Sequence, residues 1–213
     1  MPKKVKILEE IEDYKKAIFR IVLAKLKHEK FNGEMSEEIS RLSLERGDAV
    51  AAIIHNPEDD TILLTEQFRY PTYGKTKDGW ILELPAGIVE EGEEPRHTMH
   101  REIEEETGYE VDTLRYLYTF FLSPGGSSER IFLYYGRLDT DERTFDGGGL
   151  ESEGEDIRTI KMPVNEALEK LKDRQFTDAK TILGLQWLQM NRNALSRFNQ
   201  QDNDYDDDDY DDD

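Results

Sequence analysis

Pro95 and Gly108 bracket a helix of about 13 residues, since proline suits the first helical position and glycine the residue just past the last turn. On that helix Glu102, Glu105 and Glu106 stand at i, i+3 and i+4, which at about 100° per residue gathers three carboxylates into one stripe. Like charges so spaced repel by a few tenths of a kcal/mol each in water, and by more when partly buried. Something positive should face the stripe. Hard divalent cations such as Mg²⁺ or Mn²⁺ suit it, because they take carboxylate oxygens and leave positions open for water and phosphate oxygens. Arg101 borders the stripe on the Glu105 side, placed to orient that carboxylate, and Gly87 begins a loop whose backbone can approach a ligand closely. Taken by themselves, the three glutamates also fit a solvated acidic helix face.

The segments around this helix are strand-like. Val50–Ile54, Thr61–Leu64 and Trp80–Leu84 precede it, and Leu114–Leu122, Ile131–Tyr135 and Ile157–Met162 follow it. All are short apolar runs set off by polar turns, as core strands are. Upstream, Lys15–Leu26 and Glu38–Leu44 read as two extended segments joined through the Phe31-Asn32-Gly33 turn, an N-terminal sheet appendage. Two helices close the domain. Val164–Leu171 places Ala167, Leu168 and Leu171 on one face, and Asp178–Leu195 has Ile182, Leu183, Leu185, Trp187 and Leu188 as its buried set. The expected organisation is an appendage over 1–46, a main domain over 47–198 and a low-complexity acidic tail over 199–213 that cannot bury enough surface to fold.

The chain has 213 residues, a formal charge of −20, four histidines and no cysteine. A metal must therefore be held by oxygen or imidazole, and disulfides are excluded. Nine aspartates lie in the tail from Asp202 to Asp213, which leaves about −11 for the rest. That balance repels polyanions, so nucleic acid is not the expected partner, while a small phosphate compound can still be held by metals and a few arginines. No apolar run is long enough to cross a membrane and the start is charged, so a cytoplasmic protein is expected.

The segment from Gly87 to Tyr109 resembles the Nudix box, Gly-x5-Glu-x7-Arg-Glu-U-x-Glu-Glu-x-Gly-U, where U is a bulky apolar residue. It matches at Gly87, Glu93, Arg101, Glu102, Ile103, Glu105, Glu106 and Gly108, and departs only in carrying an aromatic, Tyr109, at the last position. The resemblance implies an α/β fold, an α/β/α sandwich around a mixed central sheet, with the N-terminal antiparallel sheet as an appendage. It also implies metal ligation by Glu102, Glu106 and the backbone carbonyl of Ala86, with Glu105 close to the metals.

Sequence outside the box narrows the resemblance. Ser123-Pro124-Gly125-Gly126-Ser127-Ser128-Glu129-Arg130 is by itself a tight glycine turn between strands. With Pro124 placed 16 residues past Gly108, it resembles the marker of ADP-ribose pyrophosphatases within the Nudix family. By that likeness Ser123, Pro124, Gly125, Glu129 and Ile88 bind substrate, and Arg46 and Arg69 hold it, Arg69 on the diphosphate. Relatives of this kind are dimers, which implies that Ile18, Phe19 and Arg41 approach the adenine in the partner subunit's site. The run Gly147–Ile157 reads as a mobile acidic loop by composition. It resembles a loop that closes over the ligand, which makes Glu153 the candidate catalytic base and Glu155 a further metal ligand, with Glu151 and Asp156 competing.

The expected reaction is Mg²⁺- or Mn²⁺-dependent hydrolysis of ADP-ribose to AMP and ribose 5-phosphate by water that Glu153 deprotonates. Two rivals stand beside it. One is a pyrophosphatase acting on GDP-mannose or another nucleotide sugar, and the other is a sensor that kept the fold without catalysis.

Overall fold

The computed structural model describes residues 2–139, 142–150, 152 and 154–195. The expected acidic tail lies outside the described residues. The described residues form two compact units, one within 2–48 and 120–130 and the other within 49–119 and 131–195.

The first unit is a three-stranded antiparallel sheet of β1 (Val5–Lys16), β2 (Phe19–His28) and β3 (Ile39–Glu45), in that order. The expected extended segment Lys15–Leu26 is interrupted, because Ala17 and Ile18 form a hairpin turn with Ala17 at a φ of 51°. No Gly, Asn or Asp announces that turn. Bulges in β1 fall between Ile7 and Glu9 and between Glu12 and Tyr14, and the second brings Ile11 and Tyr14 opposite Leu23 and Ile21 on one face. A bulge resets the two-residue alternation, which hides such a strand from periodicity. Leu42 and Leu44 join that face from β3, opposite Leu23 and Ile21.

The second unit is built on a mixed seven-stranded sheet. β4 (Ala49–Asn56) and β5 (Thr61–Phe68) lie at its centre, followed in sequence by helix α1 (Tyr70–Thr76), β6 (Trp80–Glu83) and β7 (Ala86–Ile88). After the box helix α2 (Pro95–Thr107) come β8 (Thr113–Phe121), β9 (Arg130–Arg137), β10 (Ile157–Pro163), α3 (Val164–Lys172) and α4 (Ala179–Leu195). The main path runs β10-β5-β4-β9-β8, with β6 on β5 and β7 on β4. β4 and β9 are parallel, while the other registered pairs are antiparallel.

Every residue of β4 is buried, because both faces of the strand are covered. Val50, Ala52 and Ile54 pack with Met99 and Ile103 of α2. On the other side α4 packs on β4, and Trp187 meets Tyr135 of β9 at 5.3 Å between ring centroids. A helix layer on each face of a mixed sheet is the expected sandwich. Within α4 the expected buried set holds at Leu185, Trp187 and Leu188, but Ile182 is only half-buried and Leu183 is exposed, since Thr181 and Gly184 take inward positions. Helix α1 had no clear signal, as its Tyr-Pro-Thr-Tyr-Gly-Lys-Thr sequence has poor helix propensity.

Candidate metal and substrate site

Pro95 and Gly108 delimit α2 as expected, with Gly108 left-handed at a φ of 73°. Gly87 does not begin a loop. It sits within β7, opposite Val50 of β4, and its significance is closeness rather than freedom. A Cβ at Gly87 would overlap the Cδ and Oε1 atoms of Glu102. The ladder to β4 thus lays bare main chain on the glutamate stripe, and only glycine admits that approach. One residue earlier, the Ala86 amide donates to Glu106 Oε2 at 3.2 Å. One residue later, Ile88 is half-buried opposite Ala49.

The stripe is poorly neutralised. Glu106 is 3 % exposed, and burial, reinforced by the neighbouring Glu102, holds its carboxyl well above the usual range despite the Ala86 amide. Burial also pushes Glu102 up to about 7, over the opposing pull of Arg101 and with Glu105 and Glu155 adding to the rise. Arg101 is shared among three carboxylates, lying 3.0 Å from both Glu102 and Glu105 and 3.3 Å from Glu93. It orients Glu105, as expected, but its one charge cannot balance the group. Among the described residues, no three His, Asp or Glu side chains are grouped closely enough to hold a metal ion by themselves. A hard divalent cation that keeps several waters does not require such a group, since one or two carboxylates plus substrate phosphates complete its shell. Two desolvated carboxylates against bare backbone fit that need.

The glycine run is pinned rather than loose. Gly147, Gly148 and Gly149 have φ values of 69°, 108° and 78°, a left-handed path that β-carbons would strain. Gly148 and Gly149 donate their amides to the carbonyls of Glu106 and Glu105, both at 3.0 Å, and so close the last turn of α2. A Cβ on Gly147 would stand 2.6 Å from the carbonyl carbon of Thr107. The run reads as mobile from composition because its partners, helix-end carbonyls, are distant in sequence. It delivers Glu155, which accepts from the Leu150 amide at 3.0 Å and whose charge is felt at Glu102. Asp156 is exposed. Glu151 and Glu153 lie outside the described residues.

Arg69 stands between β5 and α1. Its Nε donates to Glu83 Oε1 at 2.7 Å, and Lys180 of α4 reaches the other Glu83 oxygen at 3.3 Å. Glu83 and Lys180 escaped the sequence reading, although a charged residue inside the apolar run Trp80–Leu84 was a signal for Glu83. Tyr109, the departure from the box pattern, is buried, with the Arg143 guanidinium 5.1 Å from its ring centroid.

In the first unit, Arg46, Glu129 and Phe19 come together. Arg46 Nη1 lies 3.3 Å from Glu129 Oε1, and its guanidinium carbon is 5.8 Å from the Phe19 ring centroid. The Arg46 Nε is buried without a hydrogen-bond partner among the described residues. The loop carrying Ser123, Pro124 and Gly125 is a turn closed by the Gly126 and Ser127 amides on the Ser123 carbonyl, and it is stitched to Leu44 of β3. Ile18 lies in the hairpin turn. Arg41 is not brought to Phe19. It pairs with Ala24, so strand alternation puts it on the other face of the sheet from the side carrying Ile21 and Leu23, and its Nη1 donates to the Ser40 carbonyl.

The NUDIX domain model matches residues 45–184. The chain is 35 % identical over 181 residues to the ADP-ribose pyrophosphatase of Escherichia coli (strain K12), covering 84 % of this chain and 86 % of that one. It is 37 % identical over 147 residues to the GDP-mannose pyrophosphatase of Cronobacter sakazakii, covering 68 % and 75 %. A crystal structure of an ADP compounds hydrolase shares the fold, with a TM-score of 0.69, 20 % identity and coverage of 92 % and 97 %. With its box matched on α2 and β7 and its sheet sandwiched between helices, the chain belongs to the Nudix domain family.

Proposed function

We propose that this protein is a hydrolase that cuts the diphosphate bond of ADP-ribose to give AMP and ribose 5-phosphate, with Mg²⁺ or Mn²⁺. The observation that carries the reading is the buried, under-neutralised pair Glu102 and Glu106 lying against the bare backbone of Ala86 and Gly87. Glu102, Glu106, Glu155 and the Ala86 carbonyl would hold the cation, with Glu105 beside them. When bound, such a cation neutralises the diphosphate and acidifies a water.

Arg69 holds the diphosphate, and Ile88 lines the approach to it. Arg46, Glu129 and the turn Ser123-Pro124-Gly125 hold the terminal ribose and the phosphate next to it, and Ile18 and Phe19 approach the adenine in the partner subunit's site. Glu153 takes the proton of the attacking water, a role carried by resemblance. The names of the ADP-ribose pyrophosphatase relatives, which match most of the chain, support this substrate. The GDP-mannose pyrophosphatase relative at 37 % identity supports a second reading in which a different nucleotide sugar is preferred.

The proposed assembly is a cytoplasmic homodimer that uses residues 1–46 for pairing and works on a small molecule rather than nucleic acid. Supporting the pairing, the β1-β2-β3 face exposes Ile11, Tyr14 and Leu42, and a groove of roughly 470 Å³ there is lined by Tyr14, Lys16, Ala17, Phe19, Ile21 and Leu44. No helix among the described residues is long and apolar enough to cross a membrane.

The deciding experiment measures AMP or GMP release from ADP-ribose and GDP-mannose with Mg²⁺, Mn²⁺ or EDTA. Faster release from ADP-ribose is expected. Faster release from GDP-mannose selects the second reading, and binding with no release from either selects a sensor.

A further inference from the structure

Glu83, at the end of β6, is 4 % exposed and ionisable, a combination that requires partners. Both of its oxygens have one, Arg69 Nε at 2.7 Å and Lys180 Nζ at 3.3 Å. Lys180 continues to Asp178 at 2.8 Å. Asp178 accepts from the amide and hydroxyl of Thr181 at 2.9 and 2.7 Å, and the Thr181 hydroxyl accepts from the Leu84 amide at 2.9 Å. The charges alternate along a path anchored at the first turn of α4, passing through β6 and ending on Arg69.

Arg69 differs from the other members. Its side chain is 40 % exposed, against 5 % for Glu83 and 13 % for both Lys180 and Asp178. Its backbone is also fixed, with the amide on the Gly79 carbonyl and the carbonyl accepting from Thr72. Glu83 occupies only Nε, and the two terminal nitrogens of Arg69 make no hydrogen bond among the described residues. A guanidinium gripped at Nε cannot swing, yet it keeps its outer donors, the arrangement in which arginine meets phosphate oxygens with least ordering left to do.

We propose that Glu83 is a positioning residue that sets Arg69 for the diphosphate, with Lys180 and Asp178 holding Glu83 in turn. This rests on the reading of Arg69 as the diphosphate contact. A purely structural network tying α4 to β6 would change melting behaviour but would not act through Arg69.

A double-mutant cycle on substrate kinetics separates the two, using whichever of ADP-ribose and GDP-mannose the protein hydrolyses faster. Glu83→Gln is expected to raise KM about tenfold with kcat changed less than about threefold. In an Arg69→Ala background, the same substitution should change KM less than about twofold, because its target is gone. An unchanged KM in Glu83→Gln, or an undiminished rise in the Arg69→Ala background, overturns the positioning role. If Arg69→Ala itself leaves KM unaltered, the diphosphate reading of Arg69 fails and takes the proposal with it. Thermal melting accompanies each variant. Should Glu83→Gln not fold, the Glu83→Gln/Lys180→Met pair, which removes the stranded cation, gives the same comparison.

Discussion

Glu102→Gln should make the metal-free protein more stable at pH 8 while removing its response to metal. Burial lifts the Glu102 carboxyl from an ordinary 4.5 to about 7 in the folded protein. A carboxyl raised on folding binds its proton more tightly in the folded state, so its contribution is fully present below about pH 4.5 and is lost as pH rises through 7. The shift corresponds to about 3 kcal/mol at roughly 1.4 kcal/mol per pH unit. The side chain is only 14 % exposed, so solvent screening removes little of this. Glutamine carries no charge to desolvate and forgoes an ion pair with the partly exposed Arg101, worth at most about 1 kcal/mol. A chain of this size gains roughly 2–4 °C per kcal/mol. In EDTA at pH 8 the variant should therefore melt several degrees above the parent, with the gap closing below pH 5. Millimolar Mg²⁺ should raise the parent's melting temperature and leave the variant's nearly unchanged. Differential scanning calorimetry from pH 4.5 to 8 is the assay. A variant that melts at or below the parent at pH 8, or a gap that does not vary with pH, would refute the charge-desolvation argument.

Three further outcomes follow from particular contacts. Gly87→Ala forces β7 and Glu102 apart, and should cost about 1–3 kcal/mol by overpacking and lower metal-dependent turnover on the order of 100-fold, measured by melting and product release. Gly147→Ala combines a φ of 69° with main chain of Thr107 at 2.6 Å, so a loss of about 2 kcal/mol or more in denaturant unfolding is expected, together with weaker metal-dependent stabilisation. Leu42→Glu places a charge on the apolar face of the first unit, where Leu42 is 60 % exposed; light scattering should show a smaller assembly than the parent, and an unchanged mass would exclude that face from pairing.

The helix and its stripe were legible because their signals are local. Pro95 and Gly108 mark the ends, and the 3.6-residue period turns the spacing of Glu102, Glu105 and Glu106 into a geometry without reference to anything else. The core strands were legible because runs such as Val50–Ile54 suit a strand covered on both faces. What escaped depends on contacts across the chain. β1 is disguised by its bulges, and Ala17 turns a hairpin without a turn residue. Gly87 invited a loop assignment because glycine weakens strands in general, whereas here the missing side chain is what admits Glu102. The glycine run suggested mobility because its hydrogen-bond acceptors, the carbonyls of Glu105 and Glu106, are about forty residues away. The Arg69-Glu83-Lys180 path unites three elements that no short motif spans.

Three-residue β7 touches the glutamate stripe through main chain alone, and its position is set by a ladder to β4. Ladder spacing is set by main-chain hydrogen bonds, so the distance from this platform to β4 does not depend on which apolar side chains fill the layers above and below. The parts expected to tell one nucleotide sugar from another, such as the Ser123–Glu129 turn, are side chains and loops supplied elsewhere. A platform fixed by main chain and surrounded by side chains supplied elsewhere suits a chain whose relatives are named for different compounds, ADP-ribose at 35 % identity over 84 % of this chain and GDP-mannose at 37 % over 68 %.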